Sequence, residues 1–272
     1  MPLTNGRHTE GGTPPLAYGD ASLVRTIRLL VAYDGTDFSG WQRQGGGAGS
    51  ERTVQGLIET ALETLHKAPV RLAAAGRTDA GVHAAGQVAH FYTTIRSMAA
   101  ERFEPALNSL LPHSVRILAS EAVRPDFHSR FDAKSRTYRY HIVAGRRALP
   151  HELRYALQLR RRPDIARLNS YAALLRGEMD CTVFASPRDP SRSRHRYVFG
   201  ALFFVERDTL VFEITANAFL WKMVRSIVGT LLSCEERTVS PEDFKTLLIS
   251  KDRKRAGPTA PPQGLFLWKV LY

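Results

Sequence analysis

One order of predicted elements, β-α-β-β-α-β, runs twice along this chain, and the duplication limits the folds open to it more than any single motif. The first pass begins with the apolar run Ile27–Tyr33, read as a buried strand, and a loop rich in Gly and Asp over 34–50. Val54, Leu57, Ile58, Ala61, Leu62 and Leu65 then recur at helical spacing, predicting an amphipathic helix over 53–67 with Thr53 as its N-cap. Strands over 70–75 and 87–93, a short helix over 105–111 and a strand over 115–119 complete the half. The second pass reads as a strand over 137–143, a helix over 164–176 closed by Gly177, and strands over 197–205 and 210–216. An apolar-striped helix over 219–234, a further helix over 241–250 and a closing strand over 265–271 follow. Each half is a split βαβ unit, so the predicted fold class is α+β. We expect two ferredoxin-like lobes with largely antiparallel sheets, 25–128 and 129–272, joined around a central basic cleft behind a mobile tail over 1–24.

Composition narrows the function. With 43% of 272 residues hydrophobic, the chain can bury a core that offsets its conformational entropy. The most apolar stretch, 212–234, is broken by Glu213, Lys222 and Arg225, so it falls short of the roughly 18 uninterrupted apolar residues of a membrane span. Cys181 and Cys234 are too few for a four-cysteine zinc site, and they fit a reducing compartment, with a single bridge left open. No histidine or cysteine spacing suggests a metal site, and the N-terminus lacks the apolar segment of a targeting signal, so a cytoplasmic protein is expected. The stretch Gly45–Gly49 lacks the Gly-Lys-Ser/Thr ending of a phosphate-binding loop and reads as a flexible connection. A net charge of +12 and a pI near 10.1 predict a polyanionic partner, nucleic acid first, against the plainer alternative of a solvated basic surface. The basic residues run together over 146–164, over 251–264, and in SPRDPSRSRHR, which carries Arg188, Arg192, Arg194 and Arg196 as candidate phosphate contacts.

The chemistry concentrates in GRTDAGVHA, Gly76–Ala84, which joins two predicted strands and contains Arg77, Asp79 and His83. An Asp-Ala-Gly sequence is also ordinary turn chemistry, in which the carboxylate caps local N–H groups. Against that, apolar strands on both sides place the loop at a sheet end, and a guanidinium beside a carboxylate favours the ionised form that a nucleophile needs. Arg225 is the candidate partner, because the helix over 219–234 puts it beside the apolar stripe, where an arginine is rarely left unpaired. A snorkelling surface arginine is the alternative. Aromatic residues alternate with basic ones around Tyr138 and Tyr140, and around Tyr33, Phe38 and Trp41; they suit either core packing or base stacking.

Seven segments in order give the chain a family resemblance: YDGTDFSGWQRQ, RTVQG, GRTDAGVHA, LNSLLP, FHSRFDAKSRTYRY, ANAFLWKMVRSIVG and RAGPTAPPQGLFL. Together they span nearly everything after the tail, and the chain resembles the TruA family of tRNA pseudouridine synthases. The resemblance implies isomerisation of uridine to pseudouridine at positions 38, 39 and 40 of the tRNA anticodon arm, by a homodimer without a cofactor. It implies that Asp79 is the nucleophile, that Arg225 pairs with it, that Arg77 assists base displacement and that Tyr138 stacks on the target base, its hydroxyl being a candidate for proton transfer. One carboxylate suffices for such a reaction, whether it attacks C1′, attacks C6 or abstracts the 2′ proton. The chain departs from the family pattern at Lys222, where His is frequent, and at Met179 and Cys181, which stand for His and Phe in G-x-H-D-F-x-x-F. A noncatalytic tRNA-binding protein on the same fold is the alternative from another class.

Overall fold

The computed structural model describes residues 24–42 and 52–272. The expected tail over 1–24 lies outside the described residues apart from its last residue, as do Gly45–Gly49 and the end of the YDGTDFSGWQRQ segment. The described chain is a mixed α+β protein built on one ten-stranded, mostly antiparallel sheet.

In the first half, β1 (Arg25–Tyr33) buries Ile27, Leu29 and Val31 completely. Helix α1 (Val54–His66) starts where predicted: Thr53 is extended and its side chain accepts a hydrogen bond from the Gly56 N–H, satisfying one of the unpaired first-turn donors. Its stripe buries Val54, Ile58, Ala61 and Leu62. Then come β2 (Ala73–Ala74), β3 (His83–Thr93), α2 (Phe103–Asn108) and β4 (Val115–Val123). These strands lie in the order β4-β1-β3-β2, each neighbouring pair antiparallel.

The second half contains β5 (Ser135–Ala144), β6 (Leu157–Leu159), α3 (Ile165–Ala173), β7 (Gly177–Asp180), β8 (His195–Glu206), β9 (Thr209–Ala216), α4 (Met223–Glu236), α5 (Pro241–Ile249) and β10 (Leu265–Leu271). The order β10-β5-β9-β8-β7 is again antiparallel, with β6 added parallel to β5. Where separate sheets were expected, β10 pairs on both edges and merges the two sets of strands. It runs antiparallel to β5 and makes a short parallel pairing with β3, Phe266 beside His83 and Leu267 beside Ala84. Gly86 permits this approach, since a Cβ there would lie 2.4 Å from the Trp268 carbonyl oxygen.

Several element boundaries differ from the sequence expectation: α3 ends at Ala173, short of Gly177, which opens β7, and two others differ for identifiable reasons. Strand β3 begins at His83 rather than 87, because its small residues pair with β1 and β10, and tertiary pairing overrides weak strand propensity. Strand β2 keeps two of its six expected residues. Helix α4 starts at Met223 rather than 219, because Lys222 has φ 61°, a left-handed conformation that a helix interior does not contain. The apolar stripe still holds, with Leu220, Met223, Val224, Ile227, Val228 and Leu231 buried. Of the two family-pattern departures near β7, Cys181 is fully buried and Met179 packs partly buried on the core.

Two histidines in the sheet region give the fold a pH dependence. Burial pushes His90 and His141 down to about 4, with the neighbouring His128 adding to the effect at His90. An unfolded histidine titrates near 6.5, so between these values the unfolded chain binds more protons than the folded one. Stability is therefore full above about pH 6.5 and falls as pH drops toward 4, by on the order of 2 kcal/mol for His90 at pH 4.5. Thermal unfolding at pH 7 and pH 4.5 checks this. A His90→Gln variant that keeps the fold should flatten the dependence, and an unchanged slope would remove His90 as its source.

Candidate active site

The loop between β2 and β3 is fixed from several sides by elements of the first half. The Trp41 N–H donates to the Thr78 carbonyl at 3.1 Å, and the Tyr33 and Thr78 hydroxyls are 2.8 Å apart. Gly40, at φ 101°, makes this closeness possible, as a Cβ there would sit 2.7 Å from the Thr78 carbonyl oxygen. Gln87 Nε2 donates to the Gly76 carbonyl at 2.8 Å, and Gly81 N–H donates to the Phe38 carbonyl at 3.3 Å. The Val82 N–H closes the turn on the Asp79 carbonyl at 3.2 Å. The backbone of the turn is thus closed by Val82 N–H, leaving the carboxylate to point elsewhere.

It points at the second half. Arg225 Nη1 lies 2.7 Å from Asp79 Oδ2, and the side chains of this ion pair are 14% and 16% exposed. Arg225 is held in turn: its Nε donates to the Ala260 carbonyl at 2.8 Å, and the Ala260 N–H donates back to the Arg225 carbonyl at 3.0 Å. The segment carrying Ala260 lies flat on α4 because position 229 is glycine, where a Cβ would meet the Pro258 carbonyl oxygen at 1.8 Å. Trp221 Nε1 donates to Asp79 Oδ1 at 2.8 Å, so each carboxylate oxygen has a side-chain donor.

Tyr138, on β5, is 8% exposed and packs edge-on against Phe219 with ring centroids 5.0 Å apart. A Cβ built on Gly76 would lie 4.0 Å from its hydroxyl, which places the phenol beside the Asp79 loop. Burial, and then the Asp79 charge, push the Tyr138 phenol well above its usual range, so it stays a neutral O–H group at physiological pH. Arg77 is exposed in the same loop. His83 is buried and faces away from this chemistry: its Nδ1 accepts from the Gly35 N–H at 3.0 Å, its Nε2 lies 3.1 Å from the Gln263 carbonyl, and its ring stacks on Phe266 at 4.6 Å. Burial lowers its pKa, with Asp34 opposing, consistent with a neutral structural imidazole.

The four arginines of the basic loop divide. Arg188 and Arg192 are exposed. Arg194 reaches the Ser186 and Asp189 carbonyls at 3.5 and 3.4 Å, and Arg196 folds back on the Ser193 and His195 carbonyls at 2.9 and 2.6 Å. Burial lowers the pKa of Arg196, marking it as part of the loop's interior. Among the described residues no group of three or more His, Cys, Asp and Glu side chains is placed to hold a metal ion, and no helix is long and apolar enough to cross a membrane.

Sequence reasoning missed Trp221, Gln87 and Arg136. Trp221 stands in a quoted segment, but the expected helix over 219–234 gave its N–H no role. Gln87 lies inside β3 and Arg136 near the start of β5, and only tertiary structure shows which carbonyls they reach.

A carboxylate clamped by arginine and indole, where the first half of the chain meets the second in a strongly basic protein, defines a class: an α+β protein with a one-carboxylate site of the kind covalent catalysis uses. A family model described as tRNA pseudouridine synthase matches residues 29–132 and 171–272. The chain is 54% identical over 249 residues to the tRNA pseudouridine synthase A of Treponema denticola, covering 91% of this chain and 93% of that protein. It is 50% identical over 236 residues to that of Treponema pallidum strain Nichols (86% and 84% covered) and 41% identical over 251 residues to that of Geobacillus kaustophilus (92% and 95%). This chain belongs to the tRNA pseudouridine synthase family.

Proposed function

We propose that the chain isomerises uridine to pseudouridine at positions 38, 39 and 40 of the tRNA anticodon arm, with Asp79 as the nucleophile. It is an isomerase acting on tRNA. The observation that carries the finer reading is the Asp79 carboxylate, held by Arg225 at 2.7 Å at the end of a loop with fixed backbone. Isomerisation breaks the N1–C1′ bond, turns the base and joins C5 to C1′; the C5 hydrogen leaves as a proton and N1 gains one. The atoms balance without a co-reactant, and no cofactor is invoked. Water must be excluded, since it would trap the cleaved sugar, and a carboxylate only 16% exposed, in the loop beside the buried Tyr138, suits that need. The uridine leaves its stack at a cost of a few kcal/mol; in this reading Arg77 fills the gap and Tyr138 receives the base, its O–H donating rather than accepting a proton.

Two ferredoxin-like lobes, 25–128 and 129–272, frame this site in the proposed architecture, with a basic cleft between them that holds the anticodon arm. Supporting this are the two strand orders β4-β1-β3-β2 and β10-β5-β9-β8, which repeat one topology. A cytoplasmic homodimer completes the reading.

Tritium release from unmodified tRNA labelled at uridine C5, followed by mapping of pseudouridine along the product, tests the proposal. Release with modification confined to positions 38–40 is expected. Binding without release would favour the noncatalytic tRNA-binding alternative, and modification elsewhere would overturn the positions.

Arg188 and Arg192 are the exposed arginines of the loop, and in this reading both contact phosphate. Arg192→Ala should lower the slope of log K against log salt for tRNA binding by about 0.7 to 0.9, the value of one phosphate contact. Arg194→Ala and Arg196→Ala should change it less, and a larger effect at either would move the contact there.

A further inference from the structure

Arg225 alone does not fix the plane of the Asp79 carboxylate, because a terminal sp³–sp² torsion has a broad minimum. The second donor does. Trp221 Nε1 lies 2.8 Å from Oδ1, while Arg225 holds Oδ2 at 2.7 Å. A carboxylate oxygen has two lone pairs, so the indole occupies one on Oδ1 and leaves the other available.

Trp221 is 40% exposed, against 2% for Trp41, so burial of the ring does not explain its position. Its backbone does. The Trp221 N–H donates to Asp189 Oδ2, and its carbonyl accepts from the Ser186 N–H at 3.2 Å. Asp189 is itself buried, at 8% exposure, with Oδ1 accepting from the Ser191 N–H at 2.8 Å and its own N–H donating to the Ser186 carbonyl at 3.0 Å. Lys222, in its left-handed conformation, places Nζ 5.1 Å from the indole centroid. A continuous path of hydrogen bonds therefore leads from the arginine-rich loop, through Asp189 and Trp221, to the carboxylate.

We propose that Trp221 is a positioning residue that orients the Asp79 carboxylate through its indole N–H, and that Asp189 braces Trp221 from the arginine-rich loop. This rests on the reading of Asp79 as nucleophile. Because the same loop carries Arg192, tRNA bound there meets a segment already tied to the reacting group.

Trp221→Phe keeps an aromatic ring and removes the N–H. The single-turnover rate on bound tRNA should fall about tenfold or more, with the tRNA Kd within twofold. Asp189→Ala should act in the same direction, and Asp189→Asn, which keeps a side-chain oxygen for the Trp221 N–H, should recover most of the loss. The contact has its own readout. Among ¹⁵N-indole cross-peaks, the one lost in Trp221→Phe should be the one that Asp79→Ala shifts most, ahead of those of Trp41 and Trp268. A wild-type rate in Trp221→Phe, or an indole signal that ignores Asp79→Ala, overturns the proposal. Failure of the nucleophile assignment shows separately, as turnover retained by Asp79→Ala while the indole signal still moves. Should Trp221→Phe misfold, the Asp189 pair decides on rate: equal rates in the Ala and Asn variants overturn the brace.

Discussion

Asp79→Ala abolishes tritium release from C5-labelled tRNA while leaving tRNA affinity within a few fold. The expected loss is total because no second carboxylate shares the reaction as proposed: one group must assist cleavage and rejoining alike, and nothing else in the loop substitutes for it. Arg77 and Arg225 carry charge of the wrong sign, His83 is turned inward onto Gln263 and Phe266, and the Tyr138 phenol is held protonated. Affinity survives because phosphate contacts, rather than the base pocket, supply most of the binding free energy of a protein of net charge +12. The variant should also fold, since Thr78, Gly76 and Gly81 are anchored through backbone atoms that the substitution leaves in place. Filter binding alongside the release assay separates the two effects. Turnover above a few per cent of wild type would remove Asp79 from the nucleophile's role.

What the sequence made legible follows from where each signal resides. Helix α1 and strand β10 were readable because their signals are local: an N-cap with an apolar stripe in one, an apolar run after a Pro- and Gly-rich loop in the other. Strands β6 and β7 are three and four residues long, and β7 reads GEMD, with no apolar alternation to detect. The start of α4 was hidden because the stripe continues through Leu220 while the backbone turns left-handed at Lys222. The merging of the sheets depends on a pairing only two residues long and on the absence of a Cβ at Gly86, and neither has a periodic signature. At the site, Asp79 and Arg225 stood out because a charge beside an apolar stripe asks for a partner, and the structure places them 2.7 Å apart. Trp221 did not, because an aromatic residue in an apolar run already has a sufficient explanation in packing.

Arg136→Met should lower Tm by about 7 °C and slow the reaction, although Arg136 touches neither Asp79 nor Arg225. The crossing between the halves, 125–136, reads in sequence as a polar, basic linker, yet its last residue is 8% exposed and lies in the middle of the sheet. Its guanidinium donates to four carbonyls: Ala133 at 3.0 Å, Asn217 at 2.7 Å, Ala75 at 3.0 Å and Arg130 at 2.6 Å. Those oxygens belong to the linker, to the end of β9 and to the residue that opens the Asp79 loop. Burial depresses the pKa of Arg136, but arginine at physiological pH keeps its charge, and a planar fork is the side chain that can reach four such acceptors. Methionine fills much of the space and satisfies none of them. An unsatisfied buried acceptor costs about 1 to 3 kcal/mol, so even with some re-solvation the total is about 4 kcal/mol. At roughly 2.1 cal/mol/K of unfolding entropy per residue, that amounts to the stated shift for a chain of 272 residues. Ala75 loosens with it, so the loop that presents Asp79 loses one of its anchors from the second half and the rate falls beyond what residual unfolding explains. Arg136→Lys, with three donors on a point charge, should lie between the two. A Tm within 2 °C of wild type in the methionine variant would mean that water satisfies these carbonyls as well as the guanidinium does.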